Sequence, residues 1–150
     1  MKKTALLSPT LSIPRLIIGL WQIADMEKEG RQLDPIKTAG YMNEYVEAGF
    51  TAFDMADHYG SSEIIAGKSK NNHPKGASIQ LFTKWVPKPG SIDRKEVRNA
   101  IENALDRMQQ SSINMMQFHA WNYADPSWLD GLLFLKELKE EGLIEAIGVT

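Results

Sequence analysis

Short apolar runs alternate with helix-patterned stretches along this chain, and no other feature of the sequence limits its fold so strongly. The runs Arg15 to Trp21, Phe50 to Asp54, Ile79 to Trp85 and Ile113 to Ala120, and a last one opening at Ile144 or Glu145, have the length and content of core strands. Helices fill the gaps. Asp34-Pro35 is an N-cap followed by proline at the first helical position; Ile36, Ala39, Tyr45 and Val46 supply an apolar stripe, and Gly49 ends the helix. Asp93 and Glu96 have capping-box spacing ahead of a face made by Val97, Ala100, Ile101, Ala104, Leu105 and Met108. Asp125-Pro126 repeats the first opening, with Trp128, Leu129, Leu132, Leu133, Leu135 and Leu138 as a buried stripe and Gly142 as the stop. A short further helix opens at Ser61 or Ser62, while the polar stretches 22–33 and 68–76 read as loops. Ahead of all this, Thr4 to Leu7 and Thr10 to Ile13 flank a Ser8-Pro9 turn, which suggests a hairpin.

Strands that alternate with helices imply right-handed crossovers and a parallel α/β sheet. The 150 residues, 43% of them hydrophobic, suffice for one core. Two architectures fit. One is an open doubly wound sheet; the other is the first four to five strand-helix units of a parallel (β/α)8 barrel, which typically needs about 250 residues. Periodicity alone leaves both open.

Inside the second apolar run stands Asp54, a charge that a buried strand ordinarily excludes. Lys84 and His119 lie at or near the carboxyl ends of the next two strands, and Tyr59 follows Asp54 in its loop. Parallel neighbours about 4.8 Å apart bring such ends to one face, where side chains converge on a substrate-sized pocket. The four residue types suit the protonation of an oxygen. Phenols, with pKa near 10, are poor acids at neutrality, and a nearby ammonium favours the phenolate. A unit charge about 4 Å away at an effective dielectric of about 20 is worth roughly 4 kcal/mol, enough to matter. A carboxylate would keep the amine charged, and an imidazole would donate a hydrogen bond to the same oxygen.

Gly19 to Trp21, the block FDMADHYGSSEIIAG, the TK of FTKW, the QFH of the fourth core strand and the closing GLIEAIGVT resemble the aldo/keto reductase family, in order over nearly the whole chain. The resemblance implies the barrel rather than the open sheet. It also implies NADPH-dependent carbonyl reduction without a metal, with Asp54, Tyr59, Lys84 and His119 as the catalytic tetrad and Tyr59 as the acid. Implied cofactor contacts are Gly19, Leu20, Trp21, Asp54 and Thr150, the last standing where the family usually has Ser followed by Asn. NADP(H) is the expected cofactor and an aldehyde or ketone the expected small-molecule substrate. Trp21, His58, Trp85 and Trp121, at or after strand ends, are expected to wall the substrate pocket. Residues 1–150 then form the amino-terminal part of a barrel, functional with a second half, and its open edges predict self-association.

Lys and Arg total 17 against 19 acids, a net charge of −2, so no basic excess argues for nucleic acid or an anionic membrane as partner. Cysteine is absent, which excludes thiol catalysis and disulfides, and fits a reducing compartment; the cytoplasm is the default. Ser8, Pro9, Ser12, Pro14 and Arg15 interrupt the leading apolar run, so no targeting segment or membrane span is read there. Glu63 reads as a first-turn carboxylate favoured by the helix dipole. Two other classes fit parts of the sequence: a metal hydrolase using Asp54, Asp57, His58 and His119, against which stands the lack of any paired-histidine motif, and a half-barrel or regulatory subunit that binds a partner or nucleotide without turnover.

Overall fold

A computed structural model of the chain describes residues 4–23, 33–121 and 123–150. Its main sheet has five parallel strands: β3 (Ile18–Gly19), β4 (Ala52–Asp54), β5 (Gln80–Trp85), β6 (Met115–Phe118) and β7 (Ile147–Val149). They are hydrogen-bonded in sequence order, β3-β4-β5-β6-β7. The intervening helices α1 (Pro35–Glu47), α2 (Ser62–Asn72), α3 (Arg94–Met108) and α4 (Trp128–Glu140) pack each on the next in a single layer. Sequential order with one helical layer is the topology of a barrel segment; a doubly wound sheet reverses its order and covers both faces. The open-sheet alternative is thereby excluded.

Strand alternation sorts the side chains. Phe53, Leu81, Met116 and Phe118 face the helices and share a core with Met42, Val46, Val97, Ile101, Met108 and Leu135. On the opposite face Ala52, Phe82, Met115 and Ala146 form an apolar layer, closed by Leu11 and Ile13 from the antiparallel hairpin of β1 (Thr4–Ser8) and β2 (Leu11–Pro14). One step further along the same face come Asp54, Lys84 and Gln117. The hairpin plugs the amino-terminal end of the sheet, and the polar layer lies at the carboxyl end.

The expected caps are present: Asp34 Oδ1 accepts from the Ile36 amide at 2.9 Å, and Asp93 Oδ1 from the Glu96 amide at 2.8 Å. Other expectations need correction. Ile36 and Tyr45 are exposed, and Thr38 and Ala39, with Met42 and Val46 at successive steps of three and four from Ala39, form the buried stripe of α1. The loop read over 68–76 is helical to Asn72, because Ser69 is buried and donates to Asn43 Oδ1 at 2.6 Å, tying α2 to α1 despite its polar composition. In α4 Leu129 and Leu133 are exposed; the helix starts at Trp128, since Asp125 Oδ1 accepts from the Ser127 amide in a separate turn. The first core strand is only two residues long, Leu16 and Ile17 being exposed. Most of the loop read over 22–33 lies outside the described residues. Among the described residues no helix is long and apolar enough to cross a membrane.

Candidate active site

Register places the polar layer. Gly19 pairs with Asp54 across β3 and β4, and Lys84 with Gln117 across β5 and β6. Asp54 ends its strand with both carboxylate oxygens engaged: Lys84 Nζ donates to Oδ2 at 2.5 Å and Gln117 Nε2 to Oδ1 at 2.8 Å. Lys84 Nζ donates a second hydrogen bond, to the Met55 carbonyl at 2.8 Å. The side chains of Lys84 and Asp54 are 14% and 28% exposed, so this ion pair is largely shielded from water and its attraction is less screened than at a surface.

Tyr59 follows in the loop. Its amide donates to the Ala56 carbonyl at 3.1 Å and its own carbonyl accepts from the Ser62 amide at 3.0 Å, which anchors the loop to the start of α2. The Tyr59 ring meets Trp21 and His58 edge-on, with centroids 4.8 and 4.9 Å away, and lies beneath the Lys84 ammonium, 5.1 Å from its centroid. The His119 amide extends the sheet by donating to the Trp85 carbonyl at 3.0 Å. Its Nδ1 is paired with the Thr150 hydroxyl, and the Thr150 amide donates to the Phe118 carbonyl at 3.0 Å. Trp121 stands edge-on to both His119 and His58.

Trp21, His58, Tyr59, Lys84, His119, Trp121 and Thr150 line one open cleft of about 460 Å³. The structure thus gathers Tyr59, Lys84 and His119 around one space, with Asp54 behind the lysine. Chemically the cleft can hold a phenol against an ammonium whose counter-charge is fixed, with an imidazole at its side.

Two expected contact residues fall elsewhere. Trp85 is buried on the helix face of β5 with its ring 5.6 Å from that of Phe118, because it alternates with Lys84 and so cannot share the cleft. Leu20 is 2% exposed and belongs to the core; it reaches the site only through its amide, which donates to the Asp54 carbonyl at 2.9 Å. Gly19 is exposed at the end of β3. Glu63 stands in the first turn of α2, as its position implies, and is buried there, bonded to Thr83 and Arg107.

Gln117 was not foreseen as a site residue, although a polar residue two positions before His119 in an apolar strand shares its face. Asp57, weighed in the sequence as a ligand of the metal-hydrolase alternative, has a structural part here. Its Oδ2 accepts from the Val86 amide at 3.0 Å and its Oδ1 is paired with His58 Nδ1 at 2.8 Å, so it fastens the Tyr59 loop to the end of β5 and orients the imidazole. Among the described residues no three His, Asp or Glu side chains are grouped so as to hold a metal ion.

The aldo/keto reductase family profile matches residues 15–150. Pyridoxal reductase, chloroplastic, of Arabidopsis thaliana is 30% identical over 118 residues, covering 70% of this chain and 32% of that protein. The aldo-keto reductase YhdN of Bacillus subtilis is 27% identical over 169 aligned positions, covering 100% of this chain and 47% of the relative. A crystal structure of an aldo/keto reductase from Klebsiella pneumoniae, in complex with NADP and acetate, superposes with a TM-score of 0.78 at 20% identity, covering 99% of this chain and 50% of that one. The chain therefore spans half or less of the length of these relatives.

Proposed function

This chain belongs to the aldo/keto reductase family, and from that premise we propose that it supplies the proton-transfer half of a reductase converting aldehydes or ketones to alcohols with NADPH. The observation that carries the reading is the Lys84 ammonium placed between Asp54 Oδ2 and the face of Tyr59. The active protein is a barrel in which further strand-helix units complete the cofactor site.

The residues present suit a nicotinamide. The cleft has the size of a small-molecule site, a flat indole at Trp21 and a hydroxyl at Thr150, and Gly19, at the end of the neighbouring strand, has open space where a side chain would stand. Gly19, Trp21 and Thr150 would hold the ring; Asp54 contributes through Lys84 and Gln117, its oxygens being taken. NADP, the ligand of the Klebsiella relative, supplies in its reduced form a hydride for the carbonyl carbon when bound.

The chain's own residues manage the oxygen. As negative charge develops there, the Tyr59 hydroxyl gives up its proton, forming the alcohol O–H and leaving a phenolate. Lys84 stabilises that phenolate, and Asp54 holds the ammonium in place. His119, fixed through Nδ1 on Thr150, keeps its other ring nitrogen for a hydrogen bond to the same oxygen. The phenolate recovers a proton from water at the open mouth of the cleft.

NADPH consumption with a panel of aldehydes and ketones, by the whole protein and its Tyr59→Phe variant, tests this. Turnover is expected to fall about 10²- to 10⁴-fold in the variant; unchanged turnover overturns the tyrosine's role. A second reading, a half-barrel that associates with a second copy or another chain, is supported by the exposed Leu129 and Leu133 on α4 and the exposed Val149 in the last strand. Sedimentation of the isolated chain as a monomer over a wide concentration range would rule out the self-association.

A further inference from the structure

Glu63 is 1% exposed, and no group assigned above to the reaction touches it. A carboxylate so enclosed is costly unless its oxygens are satisfied, and here each has one partner. Thr83 Oγ1 donates to Oε1 at 2.6 Å, and Arg107 Nε donates to Oε2 at 2.5 Å. The three residues sit on three elements, α2, β5 and α3.

Their neighbours give the cluster its meaning. Thr83 directly precedes Lys84, and Glu63 lies in the first turn of the helix that begins where the Tyr59 carbonyl accepts from Ser62. One turn further, α2 is pressed onto α3: a Cβ on Gly67 would lie 2.1 Å from the carbonyl oxygen of Met108, the residue after Arg107. The backbones of α2 and α3 therefore lie in close contact one turn from Glu63, and the carboxylate ties α2 to α3 and to the strand that carries the lysine. Resting on the reductase reading, we propose that Glu63 is a positioning residue, which through Thr83 and Arg107 sets the separation of Tyr59 from Lys84. Burial raises the Glu63 carboxyl above its ordinary range, with Arg107 and Thr83 acting in the opposite direction and Asp57 adding to the rise. The partners keep this carboxylate where water would otherwise be needed.

The test uses the whole protein with ring-labelled tyrosine, the Tyr59 resonances being assigned by their loss in Tyr59→Phe. Lys84→Met marks the shift that accompanies loss of the ammonium above the ring. Thr83→Val, of similar shape without the hydroxyl, is expected to move the Tyr59 resonances in that same direction and to lower kcat about tenfold, with KM for NADPH unchanged. Thr83→Ser, which restores the donor, is expected to return both. Glu63→Gln, free of a buried charge, keeps the fold testable and is expected to move the resonances as well. Tyr59 resonances that stay in place in Thr83→Val or in Glu63→Gln, while thermal stability falls, overturn the positioning role and leave a structural one. Absence of carbonyl turnover in the unsubstituted protein overturns the reductase reading alone, since the resonance measurement stands without it.

Discussion

Lys84 Nζ stands 5.1 Å from the centre of the Tyr59 ring while donating to Asp54 at 2.5 Å, so one ammonium faces a fixed carboxylate on one side and a phenol on the other. The carboxylate neutralises the lysine in the resting site, and the phenolate formed on proton transfer would share it. Lys84→Met is therefore expected to lower kcat for carbonyl reduction about 10²-fold or more, with KM for the cofactor little changed. Steady-state kinetics with one aldehyde and varied NADPH checks it, and an effect confined to KM would contradict it.

Removing the carboxylate instead leaves a shielded ammonium without its counter-charge. Asp54→Asn is expected to cost about 2–3 kcal/mol, at or below the lower limit of the loss seen when one partner of a fully buried pair is removed, because Asp54 keeps some contact with water. Thermal unfolding is the measurement, with a fall in Tm of about 5–10 °C for a domain of this size. A double variant, Asp54→Asn with Lys84→Met, is expected to recover part of the loss, since it removes the orphaned charge.

Much of this arrangement can be read from the residues alone. Asp54, Lys84 and His119 can be placed at strand ends, and Tyr59 in the loop after the first of them, because apolar runs and caps fix where strands stop, and parallel neighbours align those ends. Strand alternation, legible in the sequence, turns Trp85 away from the cleft, since it follows Lys84 and must point the other way. What could not be read was tertiary. Nothing local distinguishes Leu133, exposed, from Leu135, buried, in the apolar stretch Leu132 to Leu135 of α4, and the burial of Glu63 depends on Arg107, which is 44 residues away. The polar residues 68–72 looked like a loop because the ties to α1 that make them helical come from another element.

Gly67 offers a test of the helix packing. An added methyl would meet backbone atoms of Met108, at 2.1 Å for the oxygen and 2.7 Å for Cα, and backbone cannot turn aside as a side chain can. Gly67→Ala is expected to destabilise by at least about 1–3 kcal/mol despite alanine's better helix propensity. Denaturant unfolding should show a lower midpoint with an unchanged slope. Equal or greater stability would mean that α2 is free to shift.

Trp85 and Trp121 separate core from cleft. Trp85 is 5% exposed against Phe118, so Trp85→Ala is expected to cost about 3–5 kcal/mol. Trp121 is 76% exposed at the mouth of the cleft, so Trp121→Ala should leave stability within about 0.5 kcal/mol while raising KM for aromatic carbonyl substrates. Thermal unfolding and kinetics on the same two proteins check the contrast. Equal effects of the two substitutions on KM would return Trp85 to the pocket wall.

The pH dependence of stability should carry the signature of Glu63. Burial, opposed by Arg107, holds its carboxyl above the ordinary value of 4.5, so the folded chain binds this proton more tightly than the unfolded chain. Unfolding then releases a proton in the window between 4.5 and the raised value, and stability from this group is present below that window and lost as pH rises through it. Glu47 runs the other way: Lys75 bonded to it at 2.6 Å lowers its carboxyl, so its contribution is present above the ordinary range and lost as pH falls. Denaturant midpoints of the native protein and Glu63→Gln, compared from acid toward neutral pH, are expected to show the native protein losing ground to the variant as pH rises. The opposite slope would mean that the pairing with Arg107 outweighs burial, and that the carboxylate is held below its ordinary value.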